Sequence, residues 1–235
     1  MMDAADADDA AGDPLPALSF RTMQVDDLEA VRSLHEEWFP VRYSTGFYDA
    51  AVRGKMVGTG EELFSLVAEA DGTREMVGLV TCQLTNAETC GDVLFDPADA
   101  FVSEQCTRVV YVLTLGSGSR YRRRGLASEL LKRCMERAAA EPGCGCVYLH
   151  VITYNAAAIR FYEANGFIRL REIQNYYRID GVDYACYVYV RYLDRARVAG
   201  EKEDTSVLAS MLAGASFFVP TAVRACLRRG SVGGG

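Results

Sequence analysis

The stretch Val109-Val110-Tyr111-Val112-Leu113-Thr114-Leu115 reads as a buried strand, and soon after it Arg122-Arg123-Arg124-Gly125-Leu126-Ala127 opens a helix-periodic run over 127–140. A strand that feeds a helix through a glycine-containing turn directs unpaired backbone N–H groups and the positive end of the helix dipole at one point. That is an anion site. Three consecutive arginines add charge-assisted donors for more than one phosphate, so the expected ligand carries a polyphosphate, as a nucleotide or coenzyme A does. Neither Gly-x-x-x-x-Gly-Lys nor Gly-x-Gly-x-x-Gly occurs, so the turn is not a P-loop or a dinucleotide fingerprint.

The flanking sequence supplies a sheet for this unit. A first strand is expected over 17–23. Asp26 is the expected N-cap of a helix with Leu28, Val31, Leu34 and Trp38 on one face, and His35, between polar neighbours, is expected to be exposed. Trp38-Phe39-Pro40-Val41-Arg42-Tyr43 forms a rigid aromatic elbow, because proline fixes its own φ and pushes Phe39 into extended backbone. The elbow is either a packed turn between helices or a wall of a peptide pocket. A second helix is expected over 47–57, and strands over 63–70 and 76–84 form a hairpin at Asp71-Gly72. A long polar connection spans 86–107. A strand over 146–153, a helix over 155–165 stopped by Gly166, and strands over 167–173 and 184–193 complete the domain. The order βααβββαβαββ defines an α/β fold of the α+β mixed-sheet kind, with helices on the faces of the sheet.

With 235 residues, half of them hydrophobic, the chain suffices for one well-buried domain, placed at 17–193. A formal net charge of −7 offers no broad basic face, which argues against nucleic acid as a partner. The eight cysteines include Cys82, Cys90, Cys106, Cys134 and Cys186 in apolar runs and read as reduced core residues. Cys144-Gly145-Cys146 lacks the second ligand pair that a zinc site needs, so no metal is expected. Residues 1–16 have neither a basic start nor an apolar core and read as a disordered acidic tail rather than a targeting peptide.

Past a charged linker over 194–205, Val207, Leu208, Met211, Leu212, Ala215, Phe218, Val219, Ala222, Val223, Cys226 and Leu227 recur at helical spacing. Pro220, Arg224 and a polar face argue against spanning a bilayer. The segment over 206–229 is therefore expected to lie amphipathically on an anionic membrane surface, with docking on the domain itself as the alternative.

Arg122-x-x-Gly125-x-Ala127 after a Tyr-x-Leu-x-Leu-Gly strand resembles the acetyl-CoA signature of the GNAT acetyltransferase superfamily. Residues 18–193 most resemble its NatF-type N-terminal acetyltransferases, on the elbow, on Tyr111-Val112-Leu113-Thr114-Leu115-Gly116, and on Tyr148-Leu149-His150-Val151 followed by Asn155, Ala158 and Phe161-Tyr162-Glu163. The NatE-type relatives lack the connection with Gly91-Asp92-Val93-Leu94 and the apolar tail. The resemblance implies the GNAT acyl-CoA N-acyltransferase fold with a C-terminal amphipathic tail. It also implies acetyl-CoA as cosubstrate, protein N-termini beginning with Met as acceptors, lysine side chains (as in histones) as further ones, and a peripheral location on the cytoplasmic face of the Golgi or plasma membrane.

An α-amino group with a pKa of roughly 7.7 to 8.0 needs only a modest base, whereas a lysine near ~10.4 asks more. Tyr111 and His150 fall on neighbouring strands as candidates, although a lone histidine in an apolar strand is more often a satisfied core residue. The resemblance makes Tyr111 and His150 the catalytic pair, acting as general bases through water. It assigns the acceptor's first residue to Phe39, Pro40, Val41, Tyr43, Leu113, Tyr176 and Tyr177. It assigns coenzyme A to Leu115, Gly116, Ser117, Arg122, Arg123, Arg124, Gly125, Leu126, Ala127, Ser128, Asn155, Tyr162, Glu163, Ala164 and Asn165. On the residues alone, Asn155 also suits a helix cap and Tyr162 the core. Animal NatF-type enzymes carry an acidic residue where this chain has Arg42, which implies a shift away from basic second residues. A NatE-like or small-amine acetyltransferase, and a silent scaffold that binds coenzyme A, are the competing readings. Homodimerisation is left open.

Overall fold

The computed structural model describes residues 16–56, 60–92, 94 and 106–193. The acidic start up to residue 15, the segments over 194–205 and 206–229, and most of the connection between 93 and 105 lie outside the described residues. The described elements are β1 (Leu18–Thr22), α1 (Leu28–Trp38), α2 (Thr45–Arg53), β2 (Glu62–Ala70), β3 (Glu75–Asn86), β4 (Arg108–Ser117), α3 (Leu126–Ala140), β5 (Cys144–Ile152), α4 (Ala156–Ala164), β6 (Ile168–Ile179) and β7 (Val182–Tyr192). Their order is the one read from the sequence.

The strands form a seven-stranded mixed sheet, β1-β2-β3-β4-β5-β7-β6. All pairs are antiparallel except β4 with β5. A parallel pair cannot be closed by a tight turn, so the chain crosses over through α3. On one face α3 and α4 cover Val80, Cys82, Val110, Val112, Val147 and Leu149. On the other, Val31, Phe47 and Tyr48 of α1 and α2 pack on Val67 and Leu79. Gly78 lets α3 come close, since a Cβ there would lie 3.0 Å from Leu126 Cδ2.

Local chemistry moves some boundaries. A 3-10 turn, Val25–Asp27, precedes α1, and Asp27 rather than Asp26 accepts the Gln24 N–H at 2.7 Å. Arg21 holds that carboxylate at 2.7 and 2.8 Å, which is why Asp27 is the residue that turns inward. The second helix is shorter than 47–57: the Ser44 hydroxyl accepts the Phe47 N–H at its start, and Gly54, with φ of +73°, ends it. Asp180 and Gly181, both at positive φ, make the tight turn between β6 and β7. Cys82, Cys90, Cys106, Cys134, Cys144, Cys146 and Cys186 are buried free thiols.

His35 is the main correction. It is fully buried, because Val31 and His35, one turn apart on α1, both face the sheet. Burial lowers its pKa from 6.5 to about 4. Between those two values the unfolded chain binds a proton that the folded chain refuses, so the stability tied to neutral His35 is complete above the unfolded value and is lost as pH falls toward the folded one. The difference is worth about 3 kcal/mol. Urea unfolding should show stability falling by roughly that amount, beyond the loss in a His35→Gln variant, as the pH is lowered from about 7 to about 4.

Candidate active site

The parallel ladder between β4 and β5 runs from Arg108↔Cys144 to Tyr111↔Tyr148 and stops there. Beyond it each strand keeps only its outer partner: β4 stays with β3 as far as Gly78↔Ser117, and β5 with β7 as far as Ile152↔Cys186. The two strands part, and a cavity of about 150 Å³ opens between Val112–Leu115 and Leu149–Ile152. A bulge adds to it. Thr81 pairs with Thr114 and Cys82 with Val112, which leaves Leu113 outside the ladder.

The elbow closes one side of the cavity, with Phe39, Pro40, Val41 and Tyr43 in its wall. A Cβ on Gly116 would fall 2.8 Å from Phe39 Cζ and 2.9 Å from Trp38 Cε3, so the absence of a side chain there is what lets the elbow lie on β4. Leu113, Leu115, His150, Asn155, Tyr162 and Tyr177 complete the lining.

Tyr111 and His150 meet, with the phenol oxygen 3.0 Å from Nδ1. The Tyr176 hydroxyl lies 3.3 Å from the same nitrogen, and its ring stacks on the imidazole at 4.3 Å. Tyr177 donates to the His150 carbonyl at 3.3 Å. On the far side, Asp92 Oδ2 faces His150 Nε2 at 3.4 Å, a charge-pair distance rather than a formed hydrogen bond, and among the described residues neither atom has a hydrogen-bond partner. Arg171 of β6 grips the other carboxylate oxygen at 2.5 Å. A carboxylate accepts and does not donate, so the ring proton belongs on Nε2 and leaves Nδ1 bare toward the phenols. Burial pushes the Tyr111, Tyr176 and Tyr177 phenols well above their ordinary range, and they keep their protons at neutral pH. The side chains of His150 and Asp92 are withdrawn from solvent, at 0% and 2% exposure.

The anion site lies past the end of β4. Arg122, Arg123, Arg124 and Gly125 are exposed, with positive φ at Arg123 and Gly125, so successive N–H groups turn outward ahead of the α3 dipole. These residues, with the first N–H groups of α3 at Ala127 and Ser128, fit a coenzyme A pyrophosphate. Gly116 and Ser117 lie between the cavity and this loop at the end of β4.

Not every expected contact meets the cavity. Tyr111 and Tyr176 sit behind its floor, at 5% and 7% exposure. The Leu126 side chain is core, packed toward Gly78, so only its backbone is available to a ligand. Asn155 caps α4 by accepting the Ala158 N–H at 3.1 Å and lines the cavity as well. Tyr162 is likewise both core and wall. Glu163 accepts from Tyr189 at 2.7 Å, and Ala164 is exposed beside it. Asn165 and Ser128 share a wider groove of about 610 Å³ along α3. Sequence reasoning missed Asp92 and Arg171. Among the described residues no group of three or more His, Cys, Asp or Glu is placed to hold a metal.

A splayed parallel pair beside an exposed arginine loop, ending at a buried imidazole whose Nδ1 faces two phenols, defines an acyl-CoA-dependent N-acyltransferase site. Residues 28–167 match the acetyltransferase (GNAT) family, and the chain belongs to it. It is an acetyl-CoA-dependent acetyltransferase. The chain is 33% identical over 175 residues to N-alpha-acetyltransferase 60 of Xenopus tropicalis, covering 72% of this chain and 67% of that protein. It is 26% identical over 196 residues to histone acetyltransferase MCC1 of Arabidopsis thaliana, covering 83% and 78%. Among solved structures, Arabidopsis thaliana NAA60 in complex with acetyl-CoA superposes with a TM-score of 0.66 at 31% identity, covering 75% of this chain and 99% of that one. The same protein in complex with a bisubstrate analogue gives 0.64 at 30%, covering 76% and 99%.

If Asp92 fixes the His150 tautomer, Asp92→Asn, whose amide can donate to Nε2 and move the proton to Nδ1, should lower kcat about tenfold or more with little change in KM for the acceptor. Steady-state acetyl transfer measures both.

Proposed function

We propose that this chain is an N-alpha-acetyltransferase that moves acetyl from acetyl-CoA to the free α-amino group of protein N-termini beginning with Met. The observation that carries the reading is the cavity itself: a slot walled mainly by apolar and aromatic side chains of the elbow and of β4 around the Leu113 bulge, ending beside His150. Its described wall holds no carboxylate to bind a lysine-like charge, and an extended chain with an apolar first side chain suits it. The similarity to N-alpha-acetyltransferase 60 supports the same substrate class.

Acetyl-CoA supplies an activated acyl carbon. The amine nitrogen forms the new bond to that carbon, the carbon–sulfur bond breaks, and the amine's proton has to leave. The catalytic pair acts together: His150 Nδ1, which faces the Tyr111 phenol, takes the amine's proton through the Tyr111 hydroxyl or a water, and the same relay returns a proton to the departing thiolate, so that the amine's loss and the sulfur's gain balance. A general-base role for Tyr111 alone would require a phenolate that its burial disfavours. Lysine acetylation is the second reading, supported by the similarity to MCC1. A lysine ε-amine holds its proton about 2.5 units more tightly than an α-amine, which makes it the slower acceptor for an imidazole base.

Arg42, between the lining residues Val41 and Tyr43, donates back to the Glu36 carbonyl at 2.8 Å and adds an exposed cation to the elbow. Peptides beginning Met-Leu or Met-Glu should therefore be acetylated several-fold faster than Met-Lys, with Arg42→Glu narrowing the gap. A panel varying the first two residues, with an N-terminally blocked lysine peptide and a polyamine alongside, tests this. Tyr111→Phe and His150→Ala should each cut kcat about a hundredfold or more while coenzyme A still binds. Turnover of the polyamine alone would overturn the reading.

We also propose that residues 206–229 bring the enzyme peripherally to an anionic membrane on its cytoplasmic side. The support is the apolar periodicity ending in Arg224, Arg228 and Arg229. Among the described residues no helix is long and apolar enough to cross a membrane. The full chain should co-sediment with phosphatidylserine-containing vesicles, weakly with phosphatidylcholine vesicles, and with neither when residues 206–235 are removed.

A further inference from the structure

His35 takes no part in the proton chemistry above, yet it sits where the elbow meets the central strand. Its Nδ1 is 2.8 Å from the carbonyl of Val31, one turn back on α1. A carbonyl only accepts, so Nδ1 carries the proton and Nε2 is bare. Nε2 lies 3.2 Å from the hydroxyl of Thr114, which is therefore the donor. Thr114 is 3% exposed and follows the bulged Leu113 directly.

The imidazole also packs among four rings, with centroids at 5.0 Å from Phe39, 5.8 Å from Tyr43, 5.6 Å from Phe47 and 5.4 Å from Tyr48. Phe39, Tyr43 and Thr114 all line the cavity, the first two from the elbow and the third from β4. One side chain thus touches both the elbow and the β4 segment of the lining while lying outside that lining itself. An aliphatic residue would fill the volume but leave the buried Thr114 hydroxyl without its acceptor. Neutral, and with no exposed surface, His35 does not exchange protons with substrate near neutral pH.

We infer that His35 is a positioning residue that ties the aromatic elbow to the bulge of β4 and so sets the width of the acceptor slot. This rests on the cavity being the peptide site and adds the device that holds its two walls together. The parts lie far apart in the chain, and the hydrogen bond spans 79 residues.

The test uses the full chain carrying His35→Leu, His35→Gln, Thr114→Val and the double variant His35→Leu/Thr114→Val. The two apolar single variants should each raise KM for a Met-initiated peptide about fivefold or more, with KM for acetyl-CoA within about twofold of wild type. The double variant should be no worse than the weaker single, because both remove one interaction. His35→Gln retains an amide oxygen to accept from Thr114 and should recover most of the peptide KM. Trp38, the chain's one tryptophan, lies on the elbow and supplies a readout that needs no activity. Acrylamide quenching of its fluorescence should increase in the Leu and Val variants and return with Gln.

Three results would overturn the inference: unchanged peptide KM and quenching in variants that are folded but melt lower, additive effects in the double variant, or parallel rises in both KM values. If wild type acetylates no peptide, the peptide reading fails, and the quenching series alone decides whether His35 holds the elbow.

Discussion

Two strands that pair in parallel for four residues and then part create everything this protein uses. Up to Tyr111 and Tyr148 they share a ladder; beyond it their edge groups face a gap instead of each other. Unpaired backbone inside a protein is costly unless a ligand satisfies it, so the splay is stable only because each strand is held on its other side by a long antiparallel partner. The crossover helix that a parallel pair requires then delivers its N-terminus, with three arginines, to the open end. Cofactor loop, cavity and imidazole are thus products of one topological choice.

The chemistry at the floor depends on which groups are shut away. The phenols are protonated because burial disfavours their anions, and the imidazole presents Nδ1 because Asp92 faces Nε2. Asp92 arrives from the connection between β3 and β4, and Arg171 from β6, so two segments remote from it in sequence set the surroundings of one histidine. An unpaired carboxylate beside a closed ring would be expensive; the guanidinium makes the placement tolerable.

Much of this was legible beforehand. The strand ending at Gly116, the arginine turn and the helix after it carry their meaning locally, through period, glycine and charge. Strand and helix order followed for the same reason. His35 was misread because flanking glutamates outweighed a spacing that was visible: Val31 and His35 share a helix face. Asp92 was hidden more deeply. It lies in a polar connection, and no local pattern tells an acid that reaches a histidine across the sheet from one that faces water. The bulge at Leu113 was equally silent, since it is a mismatch between two strands rather than a property of either. The elbow was legible from its proline, but its acceptor role and that of the tyrosine pair came from the family resemblance; the geometry then separated Tyr177, at the wall, from Tyr176, behind it.

The hairpin that covers the histidine has a further consequence. β6 is an outer strand, bonded to β7 alone, and its ladder lapses between Ile173 and Tyr177. Tyr111 and His150 stand on the inner strands, whereas Tyr176 falls within that lapse and Tyr177 at its end. Tyr177 and Ile179 of this strand line the cavity, so a change at the lapse recuts its wall, and Tyr176, stacked on His150, carries the same change to the imidazole. The shape of the slot and the setting of the imidazole are therefore coupled through one weakly laddered stretch of β6.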